Sequence, residues 1–306
     1  MVVFKINVND LMSRIEATKS LEDFDSIVNT FALERLYGGN NNQVYSYTSN
    51  EDKYCIKLYR DADRAIKEVN ALSFMHASKM GLCPIPLQFS NQCFPILVMS
   101  YIEGDSFGEI DITDIHLRKL SSALKSLYEL ETDGTTWAVN CNSRRMYNRV
   151  VEQIQNVTPG GSPSLKLAHR LISIWLESVN QNLFNENKCH FSHGDPNLHN
   201  LVWAEGDCKM IDFEYAGWSE KLFDLADLLE HPQSRKVNDY LWDEFMEGFS
   251  LTKEERITFK SYRTLVSIFW LMKFWPSDND TEINRVPDLF MSQLNRVEAI
   301  KRGLFS

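Results

Sequence analysis

The stretch that decides the fold is Phe191-Ser192-His193-Gly194-Asp195-Pro196-Asn197-Leu198-His199-Asn200-Leu201-Val202-Trp203, followed by Met210-Ile211-Asp212-Phe213-Glu214-Tyr215-Ala216-Gly217. Asp195 and Asn200 fall in a loop that the pattern places between a helix and a strand. Leu201-Val202-Trp203 and Lys209-Met210-Ile211-Asp212-Phe213 read as short strands joined by a turn at Glu205-Gly206-Asp207. Asp212 therefore arrives at the end of the strand after a hairpin.

Phosphoryl transfer to a hydroxyl asks for this set of groups. One carboxylate orients the attacking hydroxyl, and an amide oxygen with a second carboxylate holds magnesium across the phosphates. Magnesium takes hard oxygen ligands, which Asn and Asp supply. Alone, Asp195 would read as an ordinary N-cap or turn aspartate. With Asn200 and Asp212 at this spacing, the motif resembles the aminoglycoside phosphotransferase and choline kinase superfamily, whose fold is that of the protein kinases. The protein-kinase catalytic loop, H-R-D-x-x-x-x-N, has the same Asp-to-Asn spacing. The resemblance implies ATP and Mg2+ as cofactors, Asp195 as catalytic base, and Asn200 and Asp212 as metal ligands. His193 would then brace the loop.

The first hundred residues offer an independent check. Lys57 alternates with apolar neighbours in Tyr54-Cys55-Ile56-Lys57-Leu58-Tyr59, so it projects from one face of a strand. It is the candidate for the cation on the α/β-phosphates, against the plainer reading of a solvated edge-strand lysine. Glu68, within a helix expected over Asp63 to Lys79, is its candidate partner, with Arg64 a weaker ionic competitor and a wet helix face the alternative. Gly38-Gly39-Asn40-Asn41-Asn42 stands where a phosphate-covering loop belongs, because Gly and Asn tolerate the left-handed geometry that turns N–H groups toward phosphate. Gly39, Asn40, Asn41 and Asn42 are the expected nucleotide-loop residues. The apolar strand Ile96 to Ile102 is the expected hinge, with adenine hydrogen-bonded to backbone near Ser100 and Ile102.

Working outward, the expected architecture is α+β: a protein-kinase-like two-lobed fold with a small β-rich N-lobe and a larger, mainly helical C-lobe. The N-lobe, small strands and turns around one helix, spans 1–102 and binds nucleotide. The C-lobe spans 103–306 and carries the catalytic loop and acceptor site, with amphipathic helices near 117–130, 164–183, 240–249 and 253–274. Segment 131–163 carries no readable motif; its Trp137, Arg144, Arg145 and Tyr147 are left without a role.

The formal net charge of -10 argues against a nucleic-acid partner. Six scattered cysteines without a C-x-x-C pair point to a reducing, cytoplasmic setting, with Cys55 and Cys93 inside apolar runs as small core hydrophobes. No signal peptide or membrane span is visible, and the expected state is a monomer or homodimer.

The expected partner is a small-molecule hydroxyl acceptor. Ile211-Asp212-Phe213-Glu214-Tyr215-Ala216-Gly217-Trp218, Phe223-Asp224-Leu225-Ala226-Asp227-Leu228 and the late aromatic run Ser267 to Trp275 look most like the choline/ethanolamine kinase branch. That likeness implies a choline- or ethanolamine-like amino alcohol, since a quaternary ammonium is held by aromatic faces and a carboxylate. Glu214, Trp218, Trp270 and Trp275 are the candidate substrate residues, with Phe274 and Tyr215 as further aromatics and Asp227 and Glu230 as further charges. Core packing is an equal reading for the tryptophans, and Asp224 reads as structural. An aminoglycoside acceptor, or a thiamine, methylthioribose or homoserine acceptor, uses the same loop. A nucleotide-binding pseudokinase is the non-enzymatic alternative, and it would be expected to lack one of Lys57, Asp195, Asn200 or Asp212.

Overall fold

The structure is a computed structural model of the 306-residue chain, described over residues 8–36, 42–49, 52–131, 142–157, 162–184, 189–275 and 286–302. Its chain folds into two compact units, each α+β. The first comprises Met1–Ser106 together with Asn200–Ala216, and the second Phe107–His199 with Gly217–Ser306. The expected single boundary near residue 102 thus gives way to a chain that leaves the first unit and returns to it. The reason is local: Met210 N–H donates to Leu82 carbonyl at 2.7 Å and Lys209 Nζ to Gly81 carbonyl at 2.7 Å, so the returning hairpin is tied to the first unit's backbone.

In the first unit, helices α1 (Val8–Glu16) and α2 (Leu21–Phe31) precede the strands β1 (Glu34–Leu36), β2 (Gln43–Ser49) and β3 (Asp52–Leu58). Helix α3 (Ala62–Ala77) follows, then β4 (Pro86–Ser90), β5 (Ile96–Ser100) and β6 (Asp105–Ser106). The sheet is antiparallel in the order β1-β2-β3-β5-β4. The two leading helices correct the expectation of one helix in this region. Their signals are in the sequence: Ser20 accepts from Asp23 N–H as an N-cap, and Phe24, Ile27 and Phe31 recur at helical spacing. These side chains, with Leu11 and Ile15, bury against Tyr45, Tyr47, Ile56, Leu58, Ile96 and Val98 on one face of the sheet. Each fully buried Leu, Ile or Phe contributes about 1.5–3 kcal/mol. Because Ile56 and Leu58 face that core, the intervening Lys57 is turned to the opposite face.

The returning segment supplies β8 (Leu201–Ala204) and β9 (Asp207–Met210), which form a sheet with β6. β6 pairs through Asp105↔Trp203, and the residue before it must be small. A Cβ at Gly104 would strike the Trp203 carbonyl and the Val202 side chain.

The second unit contains α4 (Asp114–Tyr128), α5 (Asn142–Asn156), α6 (Pro163–Ser178), β7 (His190–Ser192), β10 (Gly217–Ser219), α7 (Lys221–Glu230), α8 (Asp239–Glu247), α9 (Lys253–Lys273) and α10 (Val286–Arg302). α9 is started by a Thr252–Glu255 capping box and packs against α5, α7 and α10. α5 gives part of the unread segment a place. Tyr147 stacks on Phe184 at 4.8 Å and Arg144 lies over Tyr147, while Trp137 lies outside the described residues. Among the described cysteines Cys93 is exposed, which corrects its reading as a core hydrophobe; Cys208 is the buried one. No helix among the described residues is long and apolar enough to cross a membrane.

Candidate active site

In the first unit, β3 and α3 bring the predicted pair together. Asp61 caps α3, accepting from Asp63 and Arg64 N–H, and the helix buries Ala65, Glu68, Leu72 and Met75 along one stripe. Glu68 is therefore aimed inward. Lys57 Nζ lies 2.6 Å from Glu68, 2.5 Å from Asp212 and 3.6 Å from Glu214. Lys57 is only 4% exposed. Burial works against its charge, but Glu68 first, then Asp212 and Glu214, outweigh that and hold its proton more tightly than usual. Glu68 also accepts from Tyr59 Oη and Phe213 N–H, which fixes both of its oxygens.

Glu214 was expected at the acceptor. It is instead buried, accepting from Asn42 Nδ2 and pairing with Arg64 at 3.2 Å, so it belongs to the lysine cluster. Arg64 is thus a real ionic member, and Asn42 braces Glu214. Gly39, Asn40 and Asn41 lie outside the described residues. Ser100 N–H donates to Ile85 carbonyl and its Oγ accepts from Ile85 N–H, which leaves Ile102 as the position whose backbone has no such tie among the described residues.

Asp212 sits at φ 67°, the left-handed region that Asp tolerates better than most side chains. Its side chain is 37% exposed, in contrast to the buried Glu68 and Glu214. Ligand oxygens of these three carboxylates lie within 4.8 Å of one another. Lys57 and Arg64 offset two of the three negative charges, so the cluster as a whole keeps a residual negative charge with Asp212 as its exposed member. Asn200 carbonyl accepts from Ile211 N–H at 2.9 Å, which sets Asn200 beside Asp212 in the hairpin. Two oxygen-bearing side chains with residual negative charge fit a hard divalent cation.

In the second unit, β7 leads into the loop that carries Asp195. Gly194 adopts φ 81°, and Asp195 N–H points to His193 Nδ1 at 3.4 Å. His193 is fully buried. Asn197 Nδ2 donates to Asp195 Oδ1 at 3.0 Å, and Gly108 N–H to Leu198 carbonyl. A Cβ at Gly108 would collide with the His199 ring. Asp224 on α7 grips the loop from below: buried, it accepts from Gly194 N–H and from Tyr128 Oη at 3.1 Å. Burial pushes its carboxyl up to about 7 despite those donors. One turn further along α7, Asp227 is also held well above the usual carboxylate range, by burial first and then by Asp195 and Asp224. Its carboxylate has no hydrogen bond or ion pair among the described residues.

Among the described residues Trp270 and Trp275 have different aromatic partners. Trp218 lies on β10 opposite Phe191. Trp270 meets His231 edge-to-face at 4.8 Å and stacks on Phe274, with its indole N–H buried and without a hydrogen-bond partner among the described residues. His231 is pushed down to about 4 by burial, with Asp195 opposing, and so is a neutral ring at pH 7. Trp275 packs instead on Phe290 and lines a pocket of about 450 Å³ with Arg149, Gln153 and Met272. Glu230, a candidate charge for the acceptor, is taken up by Arg263 at 2.8 Å and Arg296 at 2.9 Å. The sequence reading missed those two arginines and Tyr128; Tyr128 ends a helix whose apolar spacing alone was legible.

Comparison with known proteins bears on this arrangement. A family model described as the phosphotransferase enzyme family matches residues 32–252. Among curated protein sequences no match is found. Solved structures match over most of the chain. A Mesorhizobium loti choline/ethanolamine kinase family protein is 19% identical with a TM-score of 0.64, covering 90% of this chain and 94% of that one. A thermostable mutant of aminoglycoside phosphotransferase APH(4)-Ia, in ternary complex with ADP and hygromycin B, is 13% identical with a TM-score of 0.63, covering 91% and 97%. Spectinomycin phosphotransferase APH(9)-Ia, with ADP and spectinomycin, is 14% identical with a TM-score of 0.63, covering 92% and 98%. At these identities the likeness is one of fold.

Proposed function

The chain belongs to the phosphotransferase enzyme family, and on that premise we propose that it moves a phosphoryl group from ATP to the hydroxyl of a small cationic amino alcohol. The observation that carries the nucleotide half is the buried Lys57 held by Glu68 and Asp212, the cation that phosphoryl transfer asks for. All four residues whose loss would make a pseudokinase are present. ADP or AMP-PNP in the fold relatives supports nucleotide use.

In this reading Lys57 binds the α/β-phosphates and Ile102 offers its backbone to adenine. Asn200 and Asp212 would hold Mg2+, which when bound neutralises charge developing on the phosphates. Asp195 orients the acceptor hydroxyl and takes its proton, while His193, Asn197 and Asp224 fix the loop that carries it. Asp227, whose charged form is disfavoured by burial, Asp195 and Asp224, would be held ionised by a cation beside it, which favours an acceptor with a cation. Of the acidic side chains first considered for the acceptor, Glu214, Asp224 and Glu230 all have partners, and Asp227 alone has none among the described residues. Trp270 with its neutral neighbour His231 supplies an aromatic face close to that carboxylate's helix. An aminoglycoside acceptor is the second reading, favoured by the fold relatives that carry hygromycin B and spectinomycin.

A coupled ADP-release assay over choline, ethanolamine, thiamine, neutral sugars and aminoglycosides tests the acceptor. Turnover with sugars or aminoglycosides but none of the amino alcohols or thiamine would refute the assignment. Asp195→Asn should retain nucleotide affinity and lose kcat by about two to four orders of magnitude. A change confined to KM would remove Asp195 from the role of base.

A further inference from the structure

Tyr59 stands two residues beyond Lys57, on the same face of the chain as it leaves β3. Its backbone continues the β3–β5 pairing one residue past Leu58, with Tyr59 N–H donating to Pro95 carbonyl at 2.9 Å. The side chain is 2% exposed and touches both members of the lysine–glutamate pair. Tyr59 Oη donates to Glu68 Oε2 at 2.6 Å, the same oxygen that takes Lys57 Nζ at 2.6 Å. The Lys57 ammonium also lies 4.8 Å from the centre of the Tyr59 ring.

A buried phenol needs an acceptor, and any nearby carbonyl would meet that need. It does not explain the choice of an oxygen already paired with an ammonium. The cluster explains it, because Glu68, Asp212 and Glu214 outnumber Lys57 and Arg64. A neutral donor stabilises carboxylate charge there without adding a cation that would compete for phosphate. Burial first, then Glu68, hold the phenol's proton well above the usual range, so the hydroxyl stays a donor at neutral pH. Lys57 meanwhile has its ion pairs with carboxylates. To reach nucleotide phosphates it must loosen them, and Glu68 Oε2 then gives up its charged partner. Tyr59 keeps a hydrogen bond on that oxygen, as Phe213 N–H does on Oε1 at 3.1 Å.

We propose that Tyr59 is a positioning residue for nucleotide binding: its hydroxyl holds Glu68 Oε2 and its ring backs the ammonium, so that Lys57 turns to the phosphates while Glu68 stays hydrogen-bonded. The role rests on the nucleotide half of the function proposed above and is independent of the acceptor. Tyr59 touches no phosphate in it and acts through Glu68 and Lys57.

Isothermal titration of the full chain with Mg-ADP and with adenosine, in wild type and Tyr59→Phe, separates positioning from folding. Lys57 meets only the phosphates, so Tyr59→Phe should weaken Mg-ADP about tenfold, the worth of one hydrogen bond to a charged group, and leave adenosine unchanged. Equal losses for the two ligands, or no loss for Mg-ADP, overturn the role. A wild type that binds Mg-ADP no better than adenosine overturns the nucleotide reading itself, and this role with it. If Tyr59→Phe does not fold, a ring-fluorinated tyrosine at position 59 is a stronger donor of nearly the same shape and should tighten Mg-ADP relative to adenosine. An unchanged ratio in that protein overturns the role.

Discussion

Lys57 shows why a residue that reads ambiguously in sequence becomes decisive once placed. A lysine between apolar neighbours is as ready to be solvated as buried, and only the α3 stripe and the left-handed turn at Asp212 decide it. Lys57→Met would leave Glu68, Asp212 and Glu214 facing one another with Arg64 alone to offset them. Breaking a buried ion cluster in this way costs about 3–5 kcal/mol, and the urea midpoint should fall accordingly. An unchanged midpoint would mean the cluster is solvated. Asp224 makes a prediction in pH. Its folded pKa, about 7, stands above its ordinary value of 3.8, so the folded state holds the proton that the unfolded state releases. Stability from this residue is therefore present below pH 4 and is lost as pH rises toward 7, on the order of a few kcal/mol across that window. Asp224→Asn, whose Oδ1 can still accept from Gly194 N–H while its Nδ2 faces a Tyr128 hydroxyl able to turn and accept, should flatten that part of the stability–pH curve. A variant that loses stability with pH as steeply as the wild type would assign the slope elsewhere.

At the scale of elements, the buried Glu230 ties the end of α7 to α9 through Arg263 and to α10 through Arg296. Glu230→Gln removes the anion that Arg263 and Arg296 share, leaving Arg296 with Asp239, and should cost about 3–5 kcal/mol, read as a lower urea midpoint. Arg296→Met in the same background should then cost less than it does alone, because the pair is one unit. Additive losses would show that the arginines are independently solvated. This clamp was not legible in sequence. Glu230 looked like an acceptor charge because its partners lie 33 and 66 residues away, and no local pattern reports such a distance. The long amphipathic helices were legible, since α9 appears over Lys253–Lys273 where periodicity placed it through Phe274. The helices missed were the ones whose signals were present but unread. α2 carries its cap and apolar spacing, and α7 hides inside a motif that was read for chemistry alone. The same bias sent Glu214 to the acceptor: a carboxylate two residues from Asp212 was counted as substrate charge before its burial was known.

Across the whole molecule, the division into units follows the chemistry more closely than a cut near residue 102 does. The segment 200–216 returns to the first unit, so Asn200 and Asp212 fold with Lys57 and Glu68 while Asp195 folds with α7. The D-x-x-x-x-N spacing was readable because it is local, whereas the change of unit within it depends on hydrogen bonds to residues 81 and 82. Net charge acts on the same scale. At -10 the chain attracts cations over distances set by the ionic strength, for which the Debye length falls from about 30 Å at 0.01 M to about 8 Å at 0.15 M. With ATP held at saturation, kcat/KM for a cationic amino alcohol should therefore drop severalfold over that range. For a neutral hydroxyl acceptor it should stay level, because no charge is steered. A flat response with the cationic acceptor would show that recognition rests on contacts around Asp227 and Trp270 alone, and a steep response with a neutral one would place the salt effect on the fold rather than on the encounter.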